Sequence, residues 1–192
     1  MPFAGTAQPV KEYYATGELK AEGNKEGEEK TGTWRYYYPN GQLSASEHFV
    51  NGFLNGEVIY YYPTGIVQGK EHWVNDVLTD TAWYYHPSGA LQRKGKYQQS
   101  EYAGQWTHYF ENGKLERIVN YQFGLPEGET RVYSQAGILV QQGQYNAGKE
   151  DGEWKFYTEA GVLEFIGSYQ QGRAIGVWYV LVNGKKRVYK RY

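Results

Sequence analysis

The sequence predicts an all-β fold, an elongated, twisted antiparallel meander of repeated β-hairpins with about 15 strands in a single curled sheet. Three observations lead to this prediction. Glycines recur at intervals of 24 residues, aromatic residues stand at fixed offsets from them, and two turn signals in each repeat separate short segments rich in Tyr, Trp, Phe and Val. Such segments have the length and composition of strands rather than of helices.

The 24-residue period is carried by one glycine per repeat, and a final glycine, Gly184, follows after 23 residues. A tyrosine precedes each glycine by four positions, and Leu or Val follows it by two. A glycine nine positions earlier and a Trp shortly after that one recur in several repeats. The repeat glycines are Gly17, Gly41, Gly65, Gly89, Gly113, Gly137 and Gly161.

The turn residues predict which side chains share a face of the sheet. Pro39-Asn40-Gly41 suits a three-residue loop, in which proline sets φ and glycine accepts the left-handed conformation. This loop places Tyr37 opposite Leu43. A period of two along the strand then puts Phe49 on the same face. We therefore expect a structural ladder of Tyr, Leu and aromatic residues on one face and a second set of rings on the other. Which face forms the core stays open at this point.

Composition excludes several classes of function. The formal net charge is −1, whereas a nucleic-acid binder needs a basic excess on at least one face. The absence of Cys excludes thiol catalysis, disulfides and thiolate metal sites. No stretch approaches the roughly 20 apolar residues that a transmembrane helix needs.

The predicted organisation is a flexible N-terminus at residues 1–9 and one repeat array at residues 10–192. Two compartments stay open for the chain. It is cytoplasmic, or it is exported to the periplasm if the small residues near the N-terminus are the remnant of a cleaved signal peptide.

No sequence motif supports catalysis, a cofactor or a metal site. Phosphate-binding, nucleophile-elbow and zinc-protease patterns are absent from the sequence. His48 and His72 occupy equivalent positions of adjacent repeats, about 9.6 Å apart at two strand spacings, which is too far for two ligands of one zinc ion. We therefore expect a protein that is not an enzyme.

The rings opposite the predicted ladder are the candidate partner-binding surface. Tyr and Trp combine a large contact area with a polar tip, which makes them common interface anchors. The candidate residues are Trp34, Tyr36, Tyr38, Tyr60, Tyr62, Tyr84, His86, Trp106, His108 and Phe110.

Two segments carry a resemblance to a known family. Residues 32–43, with the sequence GTWRYYYPNGQL, and residues 152–157, with GEWKFY, resemble MORN-type repeats, in particular the bacterial variant of the YwqK-family antitoxins of toxin–antitoxin systems. The similarity covers about residues 10 to 192. It implies a non-catalytic scaffold that binds another protein, such as an antitoxin or immunity protein that neutralises a toxin. Asp80 at a glycine position and Thr130 at a tryptophan position depart from the pattern.

Two alternative functions remain. The segment WYYHPSGAL at residues 83–91 also resembles the hairpins of choline- and glucan-binding cell-wall repeats, which hold cations or sugars in aromatic cages. Their period of roughly 20 residues, as the resemblance implies, differs from the 24 found here. The second alternative is a structural or membrane-associated adaptor. The oligomeric state cannot be read from the sequence.

Overall fold

The computed structural model describes residues 6–192, which contain 17 strands and no helix. Each strand pairing given below is antiparallel and joins strands that follow one another along the chain. The predicted all-β meander of hairpins is therefore confirmed. The chain divides into two compact units. Unit 1 ends at Leu91 and includes Tyr97–Ser100, and unit 2 comprises Gln92–Lys96 and Glu101–Tyr192.

Unit 1 begins with a strand earlier than predicted. Gln8 and Pro9, which were assigned to a flexible N-terminus, pair with Lys25 and Asn24, whereas residues 1–5 lie outside the described residues. The strands of unit 1 are β1 (Gln8–Tyr13), β2 (Leu19–Glu26), β3 (Glu29–Tyr37), β4 (Leu43–Val50), β5 (Phe53–Leu54), β6 (Gly56–Tyr61), β7 (Val67–Val74) and β8 (Val77–Tyr85).

Unit 2 continues the same pattern of hairpins to the C-terminus. Strand β9 (Leu91–Gln98) contributes residues to both units. The other strands of unit 2 are β10 (Glu101–Tyr109), β11 (Leu115–Gln122), β12 (Leu125–Tyr133), β13 (Leu139–Asn146), β14 (Lys149–Tyr157), β15 (Leu163–Gln170), β16 (Arg173–Val182) and β17 (Lys185–Arg191).

The strand count exceeds the predicted 15 for two reasons. The first and last hairpins are both complete, and one strand is interrupted at Asn55, which separates β5 from β6. There the Asn55 amide donates to the carbonyl of His48 at 2.7 Å, and Gly56 has a φ of 104°.

The longer hairpin loop has the predicted three residues. The Gly41 amide donates to the Tyr38 carbonyl at 2.8 Å, and the Tyr38 amide donates to the Gln42 carbonyl at 2.8 Å. Gly41 has a φ of 82°. The loop places Tyr37 opposite Leu43, as predicted.

A bulge next to this loop overturns the predicted face of Phe49. Tyr36 pairs with Ala45 and Tyr37 with Leu43, so Ser44 is an extra residue that breaks the alternation of faces. Beyond the bulge, Gly32 pairs with Phe49. Cross-strand partners share a face, so Phe49 lies on the side of Trp34 and Tyr36, not on the side of Tyr37.

One position of the repeat is buried throughout the described chain, and its side chains form what we call the tryptophan column. Each of its seven members is at most 6% exposed, whereas the ladder tyrosines that were expected to be structural are only half-buried or exposed. The side of each unit's sheet that carries this column, the tryptophan face, is therefore the packed side. The column consists of Trp34, Val58, Ala82, Trp106, Thr130, Trp154 and Trp178.

Each tryptophan of the column lies flat over a glycine that precedes it by 11 residues. A Cβ built on Gly95 would stand 2.1 Å from the ring of Trp106, and one on Gly143 would stand 2.2 Å from the ring of Trp154. Real Cβ atoms do not approach so closely, so only glycine fits beneath the indole. The Trp106 Nε1 donates to the carbonyl of Lys96 at 3.0 Å.

Repeats without a tryptophan also lack this glycine. The pairs of column residue and residue 11 positions earlier are tryptophan with glycine in four repeats. In the other three they are a smaller side chain with a residue that carries a side chain. The two positions therefore share one volume above the sheet. The pairs are Trp34/Gly23, Val58/Glu47, Ala82/Glu71, Trp106/Gly95, Thr130/Val119, Trp154/Gly143 and Trp178/Gly167.

Rings on neighbouring strands close the column from above. The Trp154 ring meets those of Tyr145 and Tyr169 edge-on, with centroid distances of 5.4 and 5.9 Å. Phe156 lies parallel to the same indole at 6.3 Å. Such ring packing buries a large apolar area without a second layer of secondary structure.

The substitution Gly95→Ala tests the close approach of indole and backbone. We expect it to lower the free energy of unfolding by about 1–3 kcal/mol, because Trp106 must leave its position over the strand. Chemical denaturation of the variant measures the loss. Lys94→Ala, an exposed change on the same strand, is the control and should change stability by less than about 0.5 kcal/mol. Equal stability of the two variants would contradict the packing described.

Asp80 offers a second test, because it occupies a repeat position that is otherwise glycine with a left-handed backbone. Its φ is 63°, close to the 64° of Gly32. We expect Asp80→Gly to stabilise the protein by about 1 kcal/mol. Asp80→Val should destabilise it, because a β-branched residue does not tolerate this conformation. Thermal unfolding of both variants decides the matter, and a lower melting temperature for Asp80→Gly would refute the expectation.

Candidate binding face

Two of the ten predicted contact residues are buried. Trp34 and Trp106 belong to the tryptophan column and have no exposed surface. Their assignment to a partner-binding surface was wrong, because the bulge and the ring packing place these indoles beneath other side chains. The contact role of the other eight residues stays a prediction.

The residues at the start of the three-residue loops hold neighbouring hairpins together. The Tyr38 hydroxyl donates to the carbonyl of Tyr61 at 2.7 Å, and the Tyr62 hydroxyl donates to the carbonyl of Tyr85 at 2.8 Å. His86 and Phe110 occupy the equivalent half-buried positions of later repeats. The polar tips of Tyr38 and Tyr62 are thus engaged within the chain.

Tyr36, Tyr60 and Tyr84 form one row on the tryptophan face of unit 1. Tyr36 pairs with Ala45, and Tyr60 and Tyr84 both pair with Gly69. The small side chains between the rings let the rings lie over the strands. A Cβ on Gly69, for example, would stand 3.0 Å from the ring of Tyr84.

The sequence reasoning missed two carboxylates beside this row. Glu47 pairs with Trp34 and Glu71 with Val58 on the same face, where four other repeats have glycine. Both side chains are half-buried. The signal that identifies them is their departure from glycine at this repeat position. We call Tyr36, Glu47, Tyr60, Glu71, Trp73 and Tyr84 the tyrosine–glutamate cluster.

Glu71 accepts two short hydrogen bonds from ring donors. The Tyr84 hydroxyl donates to Glu71 Oε1 at 2.6 Å, and Trp73 Nε1 donates to Glu71 Oε2 at 3.0 Å. The Tyr84 hydroxyl also lies 3.2 Å from that of the buried Tyr97.

The tyrosine hydroxyls of the cluster stay protonated. Burial, followed by the hydrogen bond to the Glu71 carboxylate, raises the pKa of Tyr84 well above its usual value. Burial and then the charges of Glu71 and Glu47 raise the pKa of Tyr60. Burial and a hydrogen bond to Glu47 raise that of Tyr36. At neutral pH the hydroxyls therefore act as donors to the carboxylates, which keep their negative charge.

An ammonium group already occupies the ring surface at the start of this row. Lys30 Nζ lies 4.5 Å from the ring centroid of Trp34 and 5.1 Å from those of Tyr36 and Phe49. It also donates to the Tyr36 hydroxyl at 2.7 Å. The face therefore accommodates a cation by cation–π contact together with a hydrogen bond.

His108 occupies the same row position in unit 2 but in different surroundings. It pairs with Arg117, and its Nε2 is buried without a hydrogen-bond partner among the described residues. Burial, followed by the charges of Arg117 and Arg93, lowers the pKa of His108 to about 4. The imidazole is therefore neutral at pH 7.

Unit 2 also has an open depression of about 310 Å³ on its strands β12 to β14. It is lined by Glu129, Thr130, Arg131, Gln142, Gly143, Gln144, Glu153 and Lys155. Its charged groups neutralise one another, because Arg131 lies 3.0 Å from Glu129 and Lys155 lies 2.8 Å from Glu153.

Two further searches covered the same stretch of chain. Residues 6–192 contain no group of three or more His, Cys, Asp or Glu side chains arranged to hold a metal ion. They also contain no helix with the length and hydropathy needed to cross a bilayer.

The comparison with protein families gives five matches to the MORN repeat variant, at residues 9–24, 30–51, 54–75, 103–122 and 150–171. Together they cover more than half of the sequence. The chain belongs to the MORN repeat variant family. The stretches between residues 76 and 102 and between 123 and 149 are not matched, and these contain the departures Asp80 and Thr130.

The comparison with curated proteins gave no match. Among solved structures, the chain is similar to one described as TcdB2-TccC3-Cdc42, with 19% identity over 95% of this chain and a TM-score of 0.26. It is similar to TcdB2-TccC3-TEV, with 18% identity, the same coverage and a TM-score of 0.25. The MORN repeat chain spans about 10% of the length of each of those chains.

The depressed pKa of His108 predicts a pH dependence of stability. The unfolded chain binds a proton near pH 6.5 and the folded chain only near pH 4, so unfolding takes up a proton between these values. The stability that this residue contributes is fully present above about pH 6.5 and falls as the pH drops to about 4. His108→Phe, which introduces the residue found at the equivalent position 156, should reduce that fall.

Denaturation curves at pH 7 and pH 4.5 measure the effect. His48→Gln at an exposed histidine serves as control and should keep the pH dependence of the parent chain. If His108→Phe shows the same loss of stability on acidification as the parent, the neutral buried state of His108 is refuted.

Proposed function

We propose that this chain is a non-catalytic, protein-binding repeat scaffold that acts as an antitoxin or immunity protein by covering a partner toxin. Membership of the MORN repeat variant family indicates a repeat scaffold. The finer role rests on the resemblance to antitoxin sequences and on the character of one face of unit 1.

The observation that carries the proposal is the tyrosine–glutamate cluster. Elsewhere the repeat fills this place with a tryptophan over a glycine, an arrangement that serves packing alone. In two successive repeats of unit 1 the sequence has instead a small column residue, Val58 or Ala82, beside a half-buried glutamate and a tyrosine. Rings with polar tips on an open sheet face have the composition of protein interfaces.

The aromatic-cage alternative takes second place. The ring group that holds an ammonium, Trp34, Tyr36 and Phe49, is filled by Lys30 of the same chain. A free choline would have to displace a tethered cation there, which acts at a high effective concentration.

Capture of the partner from the native organism tests the proposed function. Tagged parent chain should recover a specific protein, and Tyr60→Ala/Tyr84→Ala should recover at least tenfold less, because truncation of interface anchors costs about 2 kcal/mol or more. Tyr133→Ala/Tyr157→Ala removes two half-buried tyrosines of unit 2 and is the matched control. Melting curves show whether each variant is folded.

Co-expression with the captured protein then tests the antitoxin role. Growth arrest caused by that protein should be relieved by the parent chain and by the control variant, but not by Tyr60→Ala/Tyr84→Ala. A captured protein that does not slow growth would contradict the antitoxin role while leaving the scaffold role in place. Equal recovery by both double variants would contradict the assignment of the binding face.

A further inference from the structure

The distribution of charge along the chain is uneven between the two units. The net charge of −1 arises from 6 Lys and Arg against 11 Asp and Glu in unit 1, a balance of −5, and from 14 against 10 in unit 2, a balance of +4. Unit 1 by itself is therefore an acidic body. Its field attracts cationic segments and repels acidic ones before any contact is made.

The carboxylates of the tyrosine–glutamate cluster have no cationic partner. Within residues 6–192, no Lys or Arg nitrogen lies within 4.0 Å of a carboxylate oxygen of Glu47 or Glu71. The donors that reach Glu71 are neutral, a phenol and an indole. Half-burial raises the cost of a charge that is satisfied only by neutral donors, and an incoming cation would offset that cost.

The chemistry of such a cation is already shown at the edge of the cluster. The Lys30 ammonium lies against three rings and donates to the Tyr36 hydroxyl. In the following repeats the position of Lys30 is taken by Leu54 and Leu78, so the chain supplies no ammonium beside Tyr60 and Tyr84. Rings and carboxylate are present there, and the cation is missing.

The replacement of tryptophan makes room for this arrangement. Where Trp34 is replaced by Val58 and Ala82, the space over the strand is not refilled by an apolar side chain but by the glutamates of the neighbouring strands. Glu47 and Glu71 stand two strands apart, about 9–10 Å between their backbones. Successive lysine or arginine side chains of one extended peptide can span that distance.

We infer that the tyrosine–glutamate cluster of unit 1 binds a Lys- or Arg-rich segment of the partner protein, with Glu47 and Glu71 as charge partners and the rings as cation–π surfaces. This inference rests on the proposed function and specifies the partner's chemistry. The basic side chains take the place that Lys30 occupies at the first repeat.

Peptide binding to the full chain tests the inference directly. The probe is a capped nine-residue peptide of alternating lysine and glycine, and the comparison peptide has glutamate in place of lysine. We expect the lysine peptide alone to bind, and its Kd to rise at least tenfold in Glu47→Gln/Glu71→Gln. The matched control, Glu28→Gln/Glu57→Gln, removes the same charge from two exposed positions of unit 1 and should change the Kd less than twofold.

A second measurement needs no substitution in the cluster. The indole N–H signal of Trp73 in a ¹H–¹⁵N spectrum reports on Glu71, because the two groups are hydrogen-bonded. It should shift on titration with the lysine peptide, and the N–H signals of Trp154 and Trp178 should not. The signal is assigned with Trp73→Phe.

Several results would overturn the inference. These are failure of the lysine peptide to bind, equal binding of the acidic peptide, and equal weakening by the two double variants, which would reveal net charge alone. Light scattering that shows self-association abolished by Glu47→Gln/Glu71→Gln, without peptide binding, would make a second copy of the chain the occupant. Undiminished capture of the native partner by this variant would refute the basic segment and leave the proposed scaffold function standing.

Discussion

The contact between an indole ring and a glycine backbone is the constraint on which the rest of this structure depends. A meander of hairpins has no second layer to cover its apolar side, so its rings must lie flat on the sheet to be buried. Trp106 and Trp154 do so because Gly95 and Gly143 have no Cβ in the way. Rings from adjacent strands then meet the indoles edge-on and exclude water from both sides.

The same constraint explains where the repeat changes character. Without tryptophan the glycine beneath it is no longer required, and other side chains enter the free space. Val119 and Thr130 use it for an apolar contact and a hydroxyl bond to the carbonyl of Ile118 at 2.9 Å. Glu47 and Glu71 use it for charge. The candidate site is thus a local exception to the packing rule, and local exceptions of this kind are expected where a sequence serves binding rather than stability.

Much of the fold could be predicted from short-range signals in the sequence. The three-residue loop at Pro39-Asn40-Gly41 and the type of each element follow from φ preferences and strand propensities, which act within a few residues. The face of Phe49 could not be predicted in the same way. A single extra residue, Ser44, reverses the alternation beyond it, and a bulge leaves no composition signal of its own.

The candidate site was predicted only in part, for a related reason. Tyr36, Tyr60 and Tyr84 were identified as rings of one face, but Trp34 and Trp106 were placed with them because aromatic residues look alike in a pattern of spacing. What separates a structural ring from a contact ring is the residue across the strand. Comparing positions 11 residues apart, rather than single positions, separates the two kinds from sequence alone. It would also have drawn attention to Glu47 and Glu71.

A double-mutant cycle at Trp154 and Gly143 tests the central claim most directly. Trp154 suits the purpose because its Nε1 has no hydrogen-bond partner within residues 6–192, so its replacement removes packing alone. Gly143→Val, Trp154→Thr and the double variant reproduce the Val119/Thr130 pair found one repeat earlier. Each single change should destabilise the protein, and the double variant should be more stable than the sum of the two losses predicts by at least about 1 kcal/mol. Additivity within about 0.5 kcal/mol would show that indole and glycine do not share one volume and would contradict the account.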